Sequence, residues 1–215
     1  MYNPKKRIAM TKKIITLVLA MFAAMAFADD AAVLTKIKNA NAQIKTIESS
    51  FKESKKLKAN GKVIDKQGTF YFSATSKLSM LYSNPDGEKT VINGKDMLLI
   101  HDGKTRTFNT DKNARMRNLS TILLCSVHGE IEKLCQEVSA TYTATEKGDS
   151  YCVVIKATKK SSKGYSLIEI TYSKADGLIK QMVMTENSGD VTTYTLSGAV
   201  KNKAIAESNF STAKK

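Results

Sequence analysis

Residues 68–109 read GTFYFSATSKLSMLYSNPDGEKTVINGKDMLLIHDGKTRTFN. Turn chemistry punctuates this stretch at Pro85-Asp86-Gly87, Asn93-Gly94 and Asp102-Gly103. Asn, Asp and Gly tolerate the positive φ that tight hairpin turns demand. Between the turns lie short runs of aromatic, aliphatic and β-branched residues: Thr69–Phe72, Leu78–Tyr82, Thr90–Ile92, Met97–His101 and Thr105–Phe108. Short runs joined by close turns predict an antiparallel meander.

Working outward, Asn60-Gly61 marks a further turn, and residues 31–45 read as a helix. Val33, Leu34, Ile37, Ile44 and Ile47 recur at helical spacing. Downstream, β-alternation stops between Asn113 and about Glu137. Leu119, Ile122, Leu123 and Val127 fall at i, i+3, i+4 and i+8, one face of a helix, with Asn118 or Ser120 as its cap and Gly129 as its end. Glu130–Leu134 suggests a second short helical turn. The strand pattern then resumes over Val138–Glu146, Tyr151–Ala157, Tyr165–Tyr172, Leu178–Thr185 and Val191–Val200. Turns at Lys147-Gly148-Asp149, Lys163-Gly164, Asp176-Gly177 and Ser188-Gly189-Asp190 separate these runs, and Ser211–Lys215 reads as a frayed tail.

The expected fold class is mainly β, with ten or eleven strands and helices at the N-terminus and centre. Twist curls so broad a sheet, so a half-open antiparallel barrel is expected. Its concave face must be filled or covered, and the two helices, each with one apolar face, are the natural cover.

The N-terminus carries export chemistry. Lys5, Lys6, Arg7, Lys12 and Lys13 precede an apolar run from Ile14 to Met25, and Ala26-Phe27-Ala28 offers small residues at a cleavage site before Asp29-Asp30. The run is too short for a stop-transfer span, although an N-terminal anchor is the alternative. Residues 1–28 are therefore expected to be a signal peptide and 29–215 one soluble domain. The net charge of +14 falls to +9 once the five leader cations are removed. That excess favours anionic membranes or acidic partners. No aromatic-interleaved basic patch points to nucleic acid.

Three cysteines, Cys125, Cys135 and Cys152, leave one thiol over if a disulfide forms. Cys125–Cys135 is the preferred pair because Cys152 sits in a strand. Three buried free thiols are the alternative. His101 and His128 lack Cys or acid neighbours at metal-ligand spacing and read as surface or cover-edge residues. No nucleophile elbow, phosphate loop or dinucleotide fingerprint occurs, so an enzyme is not expected, nor a cofactor.

Order and spacing along the chain carry a resemblance. Gly68-Thr-Phe-Tyr-Phe, Leu78-Ser-Met-Leu-Tyr, Asn84-Pro85, Val91-Ile-Asn-Gly-Lys and Met97-Leu-Leu-Ile are followed by Asp149-Ser-Tyr151, Ile168-x-Ile170, Asp176-Gly-Leu and Gly189-Asp-Val-Thr-Thr-Tyr194. From Leu34 to Phe210 this progression resembles the LolA-like outer-membrane lipoprotein carriers. The resemblance implies a periplasmic half-barrel with a helical lid. Such a protein would receive acylated lipoproteins from an inner-membrane ATP-driven extraction complex, pass them to an outer-membrane acceptor, and act as a monomer. The chain departs from the family at Ala74 and Thr75, where the family often has an Arg-Pro pair that latches the lid. It departs again at Asn93, Leu98 and Ile100, which replace the family's Asp, Trp and Tyr.

A carrier needs a broad apolar surface rather than a catalytic group. The expected lipid-binding residues are Phe70, Phe72, Leu78, Met80, Tyr82, Val91, Leu98 and Ile100 from the first strands. The later strands offer Tyr151, Val153, Ile168, Ile170, Met182 and Met184, and the lid offers Leu119, Ile122, Leu123 and Val127. A binding or scaffold module with a side-chain-filled barrel and no lipid cargo would show the same alternation.

Overall fold

The computed structural model describes residues 29–74, 76–159 and 164–213. The expected leader, Thr75, Lys163 and the end of the expected tail lie outside the described residues. A helix, α1 (29–41), leads into β1 (Thr46–Lys56), β2 (Val63–Ser73), β3 (Lys77–Asn84), β4 (Asp86–Asn93), β5 (Asp96–His101) and β6 (Lys104–Asn109). Helices α2 (Ala114–His128) and α3 (Ile131–Val138) follow. The chain then forms β7 (Ala140–Lys147), β8 (Ser150–Ala157), β9 (Tyr165–Ser173), β10 (Ile179–Glu186) and β11 (Val191–Lys201), and ends in a short 3-10 turn, Glu207–Phe210.

All eleven strands join one antiparallel sheet in the order β6-β5-β4-β3-β2-β1-β11-β10-β9-β8-β7. The two meanders are stitched together by β1 and β11, where Phe51 stands opposite Leu196 and Glu53 opposite Tyr194. β6 and β7 remain as edges, so the sheet is open, and α2 and α3 form the chain segment between them. The expected half-open barrel is the observed architecture.

Local boundaries differ from the expected ones for identifiable reasons. Helix α1 ends at 41 rather than 45. The Asn41 side-chain amide donates to the Ile37 carbonyl at 2.9 Å and to the Gly177 carbonyl at 2.8 Å, which pins the helix end to the β9–β10 turn. Ile44 and Ile47 therefore leave the helical stripe, and Ile47 faces the core from β1. That strand escaped notice because Glu53 and Lys55 occupy positions where apolar residues are expected. Helix α2 starts earlier than the caps Asn118 and Ser120 suggested: the Asn113 side chain accepts the Met116 N–H at 3.1 Å. Gly129 ends it as expected, at φ 71°, and a Cβ there would meet Ile37 Cγ2 at 2.8 Å.

The N-terminal helix also protects an edge. The Asp30 carboxylate accepts the Ala144 N–H of β7 at 2.7 Å, and Lys36 pairs with Glu146 on the same strand.

Gly68 marks the closest backbone approach. It lies at an irregularity in the β2–β3 ladder, and a Cβ would fall 2.0 Å from the Leu81 carbonyl oxygen and 2.7 Å from Tyr82 Cα. Backbone atoms cannot yield as side chains do. Gly68→Ala should destabilise the protein by about 2 kcal/mol or more, the upper part of the overpacking range, measured as a lowered urea midpoint.

Candidate functional site

Residues directly opposite one another in antiparallel strands share a face. The register therefore sorts the side chains. Ile47, Phe72, Leu78, Ile92, Met97 and Phe108 form one row across β1 to β6 on the inner face. Phe70 and Met80 extend the same face. On the other half, Met182, Ile170, Val153 and Ala144 form a row, as do Met184, Ile168 and Ile155. Val33, Leu34 and Ile37 of α1, Met116, Ile122, Leu123 and Val127 of α2, and Ile131 and Leu134 of α3 join these strand residues in one apolar cluster. Leu119 and Tyr151 sit half-buried at its margin. In this structure the helices close the hollow: Phe72, Ile92, Met97 and Leu134 are 0 % exposed.

Three expected residues face the other way. Val91 and Leu98 pair with each other and align with Ser79 and Thr107; Ile100 aligns with Leu81 and Lys89. This is the outer face, because a shift of one residue along a strand moves every side chain across the sheet. Val91 and Leu98 are nevertheless buried. Phe210, itself 1 % exposed, lies in the terminal 3-10 turn that packs on β3 and β4, and Asn93 Nδ2 donates to its carbonyl at 3.1 Å. On β4 and β5 the inner residues missed were Ile92, Met97 and Leu99. Counting outward from the two-residue Gly94-Lys95 turn, which sets Ile92 opposite Met97, would have found them.

Toward the hairpin ends the inner face turns polar. The buried Glu88 carboxylate accepts from Lys66 Nζ, from the His101 ring at 3.0 Å and from the Asp102 N–H at 3.0 Å. The Thr90 hydroxyl lies 2.9 Å from His101 Nε2. Tyr82 donates its hydroxyl to Glu53, with its ring edge-on to Phe51 at 5.0 Å, and Lys55 pairs with Glu186 at 2.8 Å. Burial opposes ionisation of Glu88, but the Asp102 amide, Lys66 and His101 together outweigh it and hold the carboxyl down at about 2. Burial pushes the Tyr165 phenol up to about 12; Glu186 adds to the rise and Arg115 opposes it. His101 thus faces the hollow rather than the outer surface.

Few polar contacts fasten the cover. Tyr172 donates to the Ser126 carbonyl of α2 at 2.7 Å, and Asn41 ties α1 to Gly177. Against these, Ser126 Oγ and His128 Nε2 are buried without a hydrogen-bond partner in the protein. The His128 ring lies edge-on to Phe72 at 5.0 Å, and burial lowers its pKa. Buried polar atoms left unpaired cost about 1–3 kcal/mol each, so the closed cover is less stable than its apolar area suggests.

The expected Cys125–Cys135 disulfide is absent, and all three cysteines are free. Cys125 lies beside Tyr172 and points its thiol at Glu130 Oε2, 3.8 Å away, whereas Cys135 lies beside Tyr142. Burial pushes both thiols up to about 11. A polar depression of about 410 Å³ lies over β1, β2 and β11, where Lys52, Ser54, Asp65, Gln67, Thr193 and Thr195 line it from the outer face. Its lining offers nothing to hold an alkyl chain. Among the described residues, no group of three His, Cys, Asp or Glu side chains is placed to hold a metal ion, and no helix is long and apolar enough to cross a membrane.

The fold is thus an open antiparallel sheet curled round an apolar face and roofed by helices. The chain belongs to the family described as outer membrane lipoprotein carrier protein LolA, whose pattern matches residues 42–213. No curated protein matches it. Among solved structures, it is similar to a DUF1329 family protein from Desulfovibrio piger, with 14% identity and a TM-score of 0.45, covering 85% of this chain and 97% of that one. A LolA superfamily protein from Nitrosomonas europaea has 8% identity and a TM-score of 0.43, over 85% and 97% of the two chains. The lipoprotein LppX from Mycobacterium tuberculosis has 12% identity and a TM-score of 0.42, over 82% and 98%.

Two outcomes are expected. Alkylation of the denatured, unreduced protein should modify three thiols, while Cys125 and Cys135 should resist a thiol reagent in the native state. A single intact disulfide would contradict the arrangement. Glu88→Gln should lower stability by about 3 kcal/mol at neutral pH, because it leaves Lys66 without its partner in a largely buried place. The Glu88 pKa is depressed on folding, so its contribution is present above about 4.5 and is lost as pH falls toward about 2. Over that window the stability of the Glu88→Gln variant should vary less with pH than that of the native protein, as read by urea unfolding.

Proposed function

We propose that the protein is an exported periplasmic carrier, with residues 29–215 as its working domain, that takes the acyl chains of lipoproteins between α2 and the inner face of the sheet. The observation that carries this reading is the continuous apolar inner face, roofed by helices that leave Ser126 and His128 polar atoms unpaired. Met80, Met97, Met116, Met182 and Met184 are spread across face and roof. Flexible thioether chains adapt to ligands of varied shape. Each methylene transferred from water contributes about 0.8 kcal/mol. Ten would give about 8 kcal/mol, enough for a micromolar complex before ordering costs. The carrier would load from an inner-membrane ATP-driven extraction complex and unload where an outer-membrane acceptor offers a better apolar environment. It would work as a monomer, without cofactor or catalysis.

The tight closure favours a second reading, a periplasmic binding or scaffold module whose barrel stays filled with its own side chains. The two differ in whether the cover opens. A photo-crosslinking residue at Leu119 or Tyr151, both half-buried at the margin, should capture an acylated lipoprotein in the native host. The same residue at Thr107, exposed on the outer face, should not. Capture at neither inner position, with no uptake of a fluorescent fatty acid, would leave the scaffold module standing.

A further inference from the structure

Nine lysines of the described chain pair with carboxylates, whereas none of its three arginines does. Arg106, Arg115 and Arg117 are all exposed and make no ion pair. They lie close in sequence, on β6 and the first turn of α2, together with exposed Lys104 and Lys112. The one acid between them, Asp111, is taken by Lys95. Arg106 stands in the inner-face row of Met80, Thr90 and Leu99. Arg115 comes near enough to act on Tyr165 of β9, on the other half of the sheet. This cationic strip therefore runs along the rim where the cover meets the hollow.

Two features set the strip apart from a generic solvated surface. Cations in the first turn of a helix oppose its dipole, yet α2 carries Arg115 and Arg117 there and no acid. A sequence that breaks a local rule without internal compensation usually does so for function. Apolar groups also lie among the charges: Phe108 and Leu119 are half-buried at the same rim. Guanidinium groups match phosphate oxygens in paired hydrogen bonds, and half-exposed apolar groups suit the boundary between headgroups and acyl chains.

We propose that this rim docks the mouth of the hollow on an anionic phospholipid surface. The orientation rests on the acyl-chain reading above, since it sets the cover against the bilayer and lets a hydrocarbon tail pass without crossing water. The charges are spread along an exposed strip and do not converge on a buried pocket, which favours an extended surface over a small phosphorylated ligand.

The test is cosedimentation with vesicles of phosphatidylglycerol or phosphatidylcholine at low and high salt. The protein should bind phosphatidylglycerol only, and salt should weaken the binding. Each basic residue near an anionic surface contributes about 1 kcal/mol, so R106Q/R115Q/R117Q should weaken binding by about a hundredfold. K52Q/K56Q/K62Q removes the same charge from exposed positions elsewhere and should change it by less than about threefold. Equal losses in the two variants, or no preference for the anionic lipid, would overturn the proposal. Fatty-acid uptake in solution separates the two ideas. The arginine variant should retain it; vesicle binding without any uptake would uphold the docking surface and remove the acyl-chain site.

Discussion

An antiparallel sheet of eleven strands cannot stay flat, and everything else in this molecule answers that constraint. Strand twist accumulates across the sheet and curls it. Because β6 and β7 never meet, the curl leaves a trough rather than a closed tube. The trough presents rows of aliphatic, aromatic and methionine side chains on each flank, far more apolar surface than a protein leaves to water. The helices between the two edges are chain that would otherwise be an exposed connection, used as a roof.

The roof is fastened unequally. Its apolar side chains interdigitate with the sheet, but its polar ties are few, and two of its buried polar atoms are unpaired. A core selected only for stability would not keep Ser126 and His128 at that boundary. Their presence lowers the work of lifting α2 without weakening the sheet, whose strength lies in the β1–β2 and β1–β11 ladders. The polar end of the inner face is the opposite case. Glu88, Lys66, His101, Thr90 and Asp102 satisfy one another so fully that this end is fixed.

The fold was largely legible in the sequence, because hairpin turns, strand runs and the central helix all carry local signals. Gly129, the strand count and the helical cover follow from them. What escaped was set by tertiary context. β1 looks polar because its inner face includes Glu53 and Lys55, so periodicity alone hid the strand that joins the two halves. The site was legible by region but not by face. Leu98 and Met97 are adjacent and equally apolar, and only the register of the β4–β5 hairpin decides which one points inward. Val91 and Leu98 are as buried as any core residue, yet they lie on the outer face, where the terminal 3-10 turn, a segment far away in sequence, packs on β3 and β4. The preference for Cys125–Cys135 rested on Cys152 lying in a strand, which says nothing about which way α2 and α3 turn their thiols, and the structure has the alternative of free cysteines.

The bond between Asp30 and the Ala144 amide has its own consequence. A free strand edge invites another extended chain to add itself, and proteins blunt such edges to avoid sticking to copies of themselves. Here a single carboxylate near the start of α1 occupies an edge N–H of β7. A chain trimmed back past Asp30 would regain an open, threonine-rich strand margin and, with it, a route to self-assembly that the intact helix keeps shut.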